Sequence, residues 1–324
     1  MKYKTLKALT VALSVLMTAP AMAGGIKLAH DSPADAAEFS SYLWGQTFST
    51  HLRDNGIEVE EFARGALGGE AERLDQVIQG LLQVSMSDVN SPGSLNKLAF
   101  GVYLPYLFDT SAKLDTALQE RGMLEAINAG TTPKGIRVLG FYHLGLPAGV
   151  FDTKHAVNTM ADMSGLRLRA LDEFQIKLFE AWGASGTIVS WPEVTNGLQT
   201  GVVDGYLNPP LMPLLFGQTE ILKHFSDLRV AQSVRSVICS EDWYQSLSDT
   251  DRAVVNDAVA IANAENREWL AKREGILQAL AGAGVEVTTP SAEALAEFRA
   301  AAREVYASGP VDADGVVAWI AAAE

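Results

Sequence analysis

The chain alternates strand-like and helix-like segments twice, and this alternation limits its fold more than any other feature. The first set runs from residue 25 to residue 88 in the order strand, helix, strand, helix, strand. The second set begins at residue 136 and places further strands at 166–170, 187–190 and 202–208, with helices between the last three. Strands that alternate with helices predict open, mostly parallel sheets. Because no Pro- or Ser-rich linker separates the sets, we expect an α/β fold of two lobes joined by short crossings.

A long helical pattern follows the second set. It covers residues 249–281, with Ser248 as its N-cap and the glycines of 282–284 as its end. A last strand at 285–289 precedes a helix at 292–307. A chain of 324 residues is long enough to bury two ordinary hydrophobic cores.

The first 23 residues have the pattern of a secretory signal peptide. Three lysines precede an apolar run from Ala8 to Ala21, and Ala21, Met22 and Ala23 form a small-x-small cleavage signal. The run is shorter than the about 20 apolar residues that a membrane helix needs. We therefore expect cleavage near Ala23 and an exported periplasmic protein that is not embedded in the membrane.

The net charge limits the kinds of binding partner, and the cysteine count excludes an internal disulfide. The formal net charge is −14, and it becomes −17 once the three lysines of the signal segment are removed. An acidic chain argues against nucleic acid and anionic membranes as partners, although a local arginine in a cleft still attracts an anion. The single cysteine, Cys239, has no partner for an internal disulfide.

Two arginines, Arg167 and Arg169, alternate with apolar residues in the strand predicted at 166–170. Ligands of open α/β sheets bind outside the carboxyl ends of the strands, and Arg169 is the last charged residue of its strand. A guanidinium matches a carboxylate bidentately and stays charged when desolvated. The alternative is that Arg169 pairs with a structural Asp or Glu, and the pattern alone does not decide. We interpret Arg167, nearer the strand middle, as structural or solvent-facing.

Asn208 ends the strand predicted at 202–208. Pro209 holds it extended, so its amide can point into the same crevice as Arg169 and bind a carboxylate or a hydroxyl. An Asx turn before the proline is the alternative. Trp191 and Tyr206, in the same stretch, are either ligand-stacking aromatics or packed ones, and Phe216 raises the same question.

The motifs of common enzymes and metal sites are absent from the sequence. It has no G-x-S-x-G, H-E-x-x-H, P-loop, C-x-x-C or G-x-G-x-x-G, and its five histidines lack metal-ligand spacing, so we expect no metal and no cofactor. His30 and His143 end predicted strands and are candidates for a cleft, although a lone histidine is more often structural. Asp88 and Asn90 follow the third strand and are candidates for the opposite wall.

Five segments resemble the solute-binding proteins of TRAP (tripartite ATP-independent periplasmic) transporters. They are Glu61–Glu70, Gly101–Thr110, Asp162–Ala170, Pro192–Pro209 and Glu241–Arg252. Their order and spacing span most of the chain. The most specific part is G-L-x-x-R followed by E-V-x-x-x-L-Q-x-G-x-x-D-G.

The resemblance implies a two-lobed periplasmic binding-protein fold, with a mixed or mostly parallel sheet in each lobe and a long helix spanning both. We expect residues 24–147 and 237–265 to form lobe I and residues 148–236 and 266–324 to form lobe II, with the ligand in the cleft between them. The ligand-clamping arginine of the family falls on Arg169, and its cleft asparagine falls on Asn208.

Family ligands are mostly organic acids, delivered to a membrane complex that is driven by an ion gradient. The resemblance therefore implies a carboxylate or sulfonate ligand and the membrane subunits of a TRAP transporter as partners. Many members carry a second arginine or polar residue where this chain has Pro147 and Ala148, which favours a monoacid with an apolar or aromatic body. Two alternatives stay open: a binding protein that serves a membrane sensor, and an exported enzyme acting on a small carboxylic acid.

Overall fold

The computed structural model describes residues 25–273 and 275–324, and the predicted signal peptide lies outside this part of the chain. The elements up to the first crossing are β1 (Ile26–Ala29), α1 (Ser40–Asp54), β2 (Val59–Phe62), α2 (Glu70–Ile78), β3 (Val84–Ser87), α3 (Asn90–Leu95), α4 (Ser111–Gln119), α5 (Met123–Thr131) and β4 (Ile136–His143). The next elements are β5 (Gly149–Asp152), β6 (Arg167–Ala170), α6 (Glu173–Ala181), β7 (Ser185–Ile188), α7 (Val194–Gln199), β8 (Gly205–Asn208), α8 (Met212–Leu215) and β9 (His224–Ser226). The remaining elements are β10 (Val234–Ser240), α9 (Glu241–Ser246), α10 (Asp249–Ala271), α11 (Ile276–Gly282), β11 (Glu286–Thr288), α12 (Ala292–Glu304) and α13 (Ala313–Ala323).

Two mixed sheets form the frames of two lobes. The first has the strand order β2-β1-β3-β10-β4, and the second has the order β11-β9-β5-β8-β6-β7. In the first sheet β10 runs antiparallel to both of its neighbours, and in the second sheet β5 does the same. The other pairs are parallel, as the strand–helix alternation predicts. The predicted two-lobed α/β fold with mixed sheets is confirmed.

The central strands of both sheets, such as β3 and β5, are buried on their two faces, as expected where helices cover the sheet. Successive residues of a strand point to opposite faces. In β10, Val237 and Cys239 enter a core with Trp44 and Phe48, whereas Ile238 enters the core on the other face. The second sheet likewise separates two cores, one around Phe179 and Trp182 and one around Phe151 and Phe225.

Two crossing segments, residues 144–148 and 227–233, connect the sheets. They lie side by side, because Leu144 N donates to Ser233 O at 2.8 Å and Ala148 N donates to Ala231 O at 3.0 Å. The second crossing leads into β10, a strand that our sequence patterns did not predict.

The long helix α10 contacts both lobes. Its 23 residues begin with Ser248, whose side chain accepts a hydrogen bond from Asp251 N as an N-cap. It packs on α1 of the first lobe, and Trp269 near its end packs with Leu211, which follows β8 of the second sheet. The prediction of one helix over 249–281 is wrong at its end. The chain turns after α10, and the separate helix α11 buries Leu280 in the second lobe.

The C-terminal helices divide between the lobes. In α12, Phe298 packs edge-on against Trp182 of the second lobe, with ring centroids 5.2 Å apart. In α13, Trp319 packs against Phe108 of the first lobe at 5.7 Å, and its indole Nε1 donates to Leu98 O. The predicted lobe boundaries stay a prediction. Within residues 25–273 and 275–324, no helix combines the length and apolarity of a membrane span.

Arg167 of β6 ties its strand to the turn before β8. Its Nε and Nη2 donate to Asp204 at 3.0 and 2.7 Å, and its backbone N–H donates to the same carboxylate at 2.9 Å. Lys154 Nζ adds a further bond at 2.8 Å. Burial alone would raise the pKa of Asp204, but the hydrogen bonds from Arg167 and Lys154 lower it to about 2. Arg167 is therefore a structural residue.

We predict that Asp204→Asn flattens the acid limb of the stability curve. The pKa of this carboxyl is lower in the folded protein than its ordinary value of 3.8. Its contribution to stability is complete above pH about 4 and disappears as the pH falls through about 2. Unfolding temperatures measured from pH 7 to pH 2 should fall less steeply below pH 4 in this variant. Asp75→Asn, at an exposed position of α2, is the matched control, and equal slopes for all three proteins would contradict the prediction.

Candidate functional site

The carboxyl ends of the strands in the two sheets face each other. β4 ends at His143, which pairs with Val234, the first residue of β10. β5 begins at Gly149, which pairs with Asn208, the last residue of β8. Both crossings therefore join the carboxyl edge of one sheet to the carboxyl edge of the other. This is where open α/β sheets bind ligands, so the candidate site lies between the lobes.

Arg169 is a buried cation at this edge of the second sheet. Its residue is 6% exposed, and its Nε donates to the carbonyl of Val189 at 2.8 Å. Among the residues that the structure describes, no carboxylate forms a salt bridge with it. Burial lowers its pKa, yet a guanidinium remains protonated in proteins. In the described part of the chain, Arg169 is therefore not paired with a structural Asp or Glu, the alternative that the sequence left open.

An aromatic wall stands beside Arg169. The ring centre of Trp191 lies 5.8 Å from Arg169 Cζ, within the range of a cation–π contact. Phe216 packs edge-on against Trp191, with centroids 5.1 Å apart, and both side chains are half-buried. Trp191 also contacts Tyr206 edge-on at 5.8 Å.

Tyr206 supports this wall from within the core. It is fully buried, and its hydroxyl donates to Gln218 Oε1 at 2.6 Å. Gln218 Nε2 in turn donates to Thr195 Oγ1 at 3.0 Å. Burial holds the pKa of Tyr206 well above its usual range. The hydroxyl is therefore a neutral donor already used in packing.

Asn208 lies on the same sheet face as Tyr206, because the two are separated by one residue in β8. Tyr206 pairs in register with Arg169 of β6, so Arg169 and Asn208 share that face. The side-chain nitrogen of Asn208 is buried and has no hydrogen-bond partner in the described part of the chain. A buried amide donor without a partner is costly, and a ligand oxygen would satisfy it.

An apolar cavity of ≈ 140 Å³ lies between the lobes beside these residues. Tyr103 and Leu104 line it from the first lobe, Leu144 and Ala148 from a crossing, and Asp172 and Asn208 from the second lobe. Arg169 is not among its lining residues. The cavity therefore reaches the ends of β6 and β8 without including the guanidinium.

At the carboxyl edge of the first sheet, directly after the cavity-lining residue Val234, lies a charged cluster, the Arg235 cluster, of which our sequence analysis named only Asp88. It contains Asp31, Glu70, Arg73, Asp88 and Arg235. Arg235 Nε lies 2.5 Å from Asp31 Oδ2, and Arg235 Nη2 lies 2.5 Å from Glu70 Oε1. Glu70 Oε2 also lies 2.9 Å from Arg73 Nη2. Sequence analysis could have found Asp31 as a site candidate, because this residue directly follows a predicted strand.

The remaining candidates occupy different surroundings. His30 is buried with its Nε2 2.6 Å from Glu61 Oε2. His143 is fully buried without a hydrogen bond to either ring nitrogen in the described chain, and burial holds its pKa well below the usual range. Asp88 accepts hydrogen bonds from Ser91, and Asn90 is exposed at the start of α3. None of the described His, Cys, Asp and Glu residues form a group suited to a metal ion.

The fold and the placement of these residues define a class, a two-lobed binding protein with its site between the lobes. The chain matches the family model of the bacterial extracellular solute-binding proteins, family 7, over residues 44–309. It belongs to this family, the solute-binding proteins of TRAP transporters.

Curated relatives agree with this assignment. The chain is 27% identical to the ectoine-binding periplasmic protein TeaA of Halomonas elongata, over 76% of this chain and 73% of TeaA. It is 28% identical to the C4-dicarboxylate-binding periplasmic protein DctP of Rhodobacter capsulatus, over 91% and 88% of the two chains. It is 25% identical to the sialic acid-binding periplasmic protein SiaP of Vibrio cholerae, over 94% of each.

Solved structures share the fold. A TRAP periplasmic solute-binding protein from Ochrobactrum anthropi superposes with a TM-score of 0.83 at 22% identity, over 92% of this chain and 94% of that one. The ectoine-binding protein of Halomonas elongata gives 0.81 at 22% identity, over 92% and 98%.

We predict that Tyr206→Phe destabilises the protein without changing its affinity for solute. The change leaves Gln218 Oε1 buried without its donor, which costs about 1–3 kcal/mol. Thermal unfolding and solute titration of the same preparation separate the two effects. A loss of affinity with unchanged stability would instead make the hydroxyl a direct ligand contact.

Proposed function

We propose that this protein is a periplasmic receptor that binds an organic acid anion between its lobes and delivers it to a TRAP-type secondary transporter. The observation that carries the proposal is Arg169, a buried guanidinium with no carboxylate partner in residues 25–273 and 275–324. An uncompensated buried charge is costly, and a bound anion would compensate it.

Arg169 and Asn208 supply complementary groups for a carboxylate. Arg169 Nε donates a hydrogen bond to Val189 O. The two terminal nitrogens of the guanidinium are therefore left for an anion. The amide Nδ2 of Asn208 adds a neutral donor. Trp191 and Phe216 provide an apolar surface next to this point, and the neighbouring cavity is apolar. These features favour a monoacid with an apolar or aromatic body.

The relatives support an organic acid as the ligand class. Their names give C4-dicarboxylates, sialic acid and ectoine as the bound solutes. They also describe periplasmic proteins, which supports the same location for this chain. The family is one of receptors, so we propose binding and release without chemical conversion of the solute.

Closure of the lobes would strengthen the central interaction. Removing water from around Arg169 and a carboxylate lowers the local dielectric constant, and their attraction grows. Micromolar affinity corresponds to about −8 kcal/mol. One charge-assisted contact together with apolar burial against Trp191 can supply a free energy of this size.

We predict that Arg169→Met abolishes anion binding, whereas Arg167→Met retains it. The two arginines belong to one strand, but Arg167 is bound to Asp204 and Arg169 has no such partner. Truncating Arg169 should weaken binding by about a hundredfold or more. Arg167→Met should lower the unfolding temperature and leave the affinity unchanged.

The test is a thermal-shift screen of protein unfolded and refolded to remove carried-over solute. The panel contains mono- and dicarboxylates, sugar acids and sulfonates, both aliphatic and aromatic. A solute at a hundred times its dissociation constant adds about 2.7 kcal/mol of stability. Stabilisation by neutral or cationic compounds alone, or by anions in Arg169→Met as in the wild type, would contradict the proposal.

A further inference from the structure

Both arginines of the Arg235 cluster, on the first lobe, already contact carboxylates of the same cluster. Arg235 belongs to β10 at the edge of the first sheet, and its side chain is 24% exposed. Its Nε faces Asp31 and its Nη2 faces Glu70, each at 2.5 Å. Each guanidinium nitrogen of Arg73 is also engaged. Its Nη2 contacts Glu70 and Met86 O, its Nε donates to Ser85 Oγ, and its Nη1 donates to Gly68 O.

Acidic groups outnumber arginines on this wall, and burial raises the pKa of Glu70 although Arg235 and Arg73 act against this. In the described chain the Arg235 cluster holds the carboxylates of Asp31, Glu70 and Asp88 and the guanidiniums of Arg73 and Arg235. Burial tends to raise the pKa of Asp31, but Arg235 and the hydroxyl of Tyr142 lower it overall. Asp31 is thereby held as a carboxylate.

Tyr103 shows that this wall and the second lobe meet across the cavity. It lines the cavity and donates its hydroxyl to Val234 O at 3.0 Å. Val234, the neighbour of Arg235 in β10, lines the same cavity from the first lobe, and Asp172 lines it from the second lobe. Residues of both lobes therefore border one cavity, and Arg235 directly follows one of them.

We propose that the Arg235 cluster selects solutes with a single anionic group, because Glu70 and Asp31 occupy the cation that a second carboxylate would need. This inference rests on the proposed function, since it assumes that the first anionic group binds Arg169. A dicarboxylate spanning the cleft would place its far end against Glu70 and Asp88 and meet no free cation on the described part of this wall. Glu70 is thus a specificity-determining residue on the lobe that does not carry Arg169.

The test compares Glu70→Gln with wild-type protein. Calorimetric titrations use straight-chain monocarboxylates of four to eight carbons and the α,ω-dicarboxylates of the same lengths, from succinate to suberate. In Glu70→Gln, the ratio of monocarboxylate to dicarboxylate affinity should move by about tenfold or more in favour of the dicarboxylates. Asp75→Asn makes the same change of charge on the exposed side of the same helix and should leave the ratio unchanged.

Asp31→Asn is the second variant, because it removes the other carboxylate from Arg235 and keeps an oxygen for Tyr142. It should shift the ratio in the same direction, and unfolding temperatures check that both variants are folded. Wild-type preference for dicarboxylates, or variants that bind no dicarboxylate more tightly than wild type, would overturn the inference. A failure of the proposed function would be seen in a different measurement, because anions would then still bind to Arg169→Met.

Discussion

The pairing of β10 with β4 is the contact on which the arrangement of the two lobes depends. β10 returns from the second lobe and runs antiparallel along the whole of β4. It thereby places the two crossings side by side and turns the carboxyl edges of both sheets towards each other. Because β10 also pairs with β3, it carries Arg235 to the edge where β1 and β3 end. The same strand joins the lobes and supplies a charged residue of the cleft.

The two walls of the cleft are built on opposite electrostatic principles. On the second lobe, Arg169 is desolvated and lacks a carboxylate partner among the described residues, so the wall is incomplete without an anion. On the first lobe, Arg235 is paired with the carboxylates of Asp31 and Glu70. Burying a charge is tolerated where it is paired. An asymmetric cleft of this kind orients a solute, with its anionic end towards Arg169 and its body towards the aromatic and apolar surfaces.

Local sequence patterns could predict the repeated strand–helix units, the start of α10 at Ser248 and the position of Arg169 at a strand end. These features depend on residues close together in the chain. The strand β10 could not be recognised in this way, because its partners lie about 100–150 residues earlier in sequence. The Arg235 cluster has the same origin, with Glu70 and Arg235 separated by 165 positions.

Packing also decided which candidate side chains face the cleft. Tyr206 and Trp191 look alike in sequence, but the structure buries Tyr206 against Gln218 and leaves Trp191 half-exposed beside Arg169. Likewise, the strand-end position of His143 suggested a cleft residue, whereas its side chain is fully buried and its backbone bonds to Asn266 of α10. The periodicity of a sequence predicts which face of a strand a side chain occupies, but it does not predict which element packs over that face.

The most direct test of Arg169 as the anion-binding residue is a crystal structure of the protein bound to the most stabilising anion of the screen. We expect density for that solute between the lobes, with its anionic group in contact with the terminal nitrogens of Arg169 and with the side-chain nitrogen of Asn208. A solute bound elsewhere, or bound between the lobes with Arg169 left without an anionic contact, would contradict it.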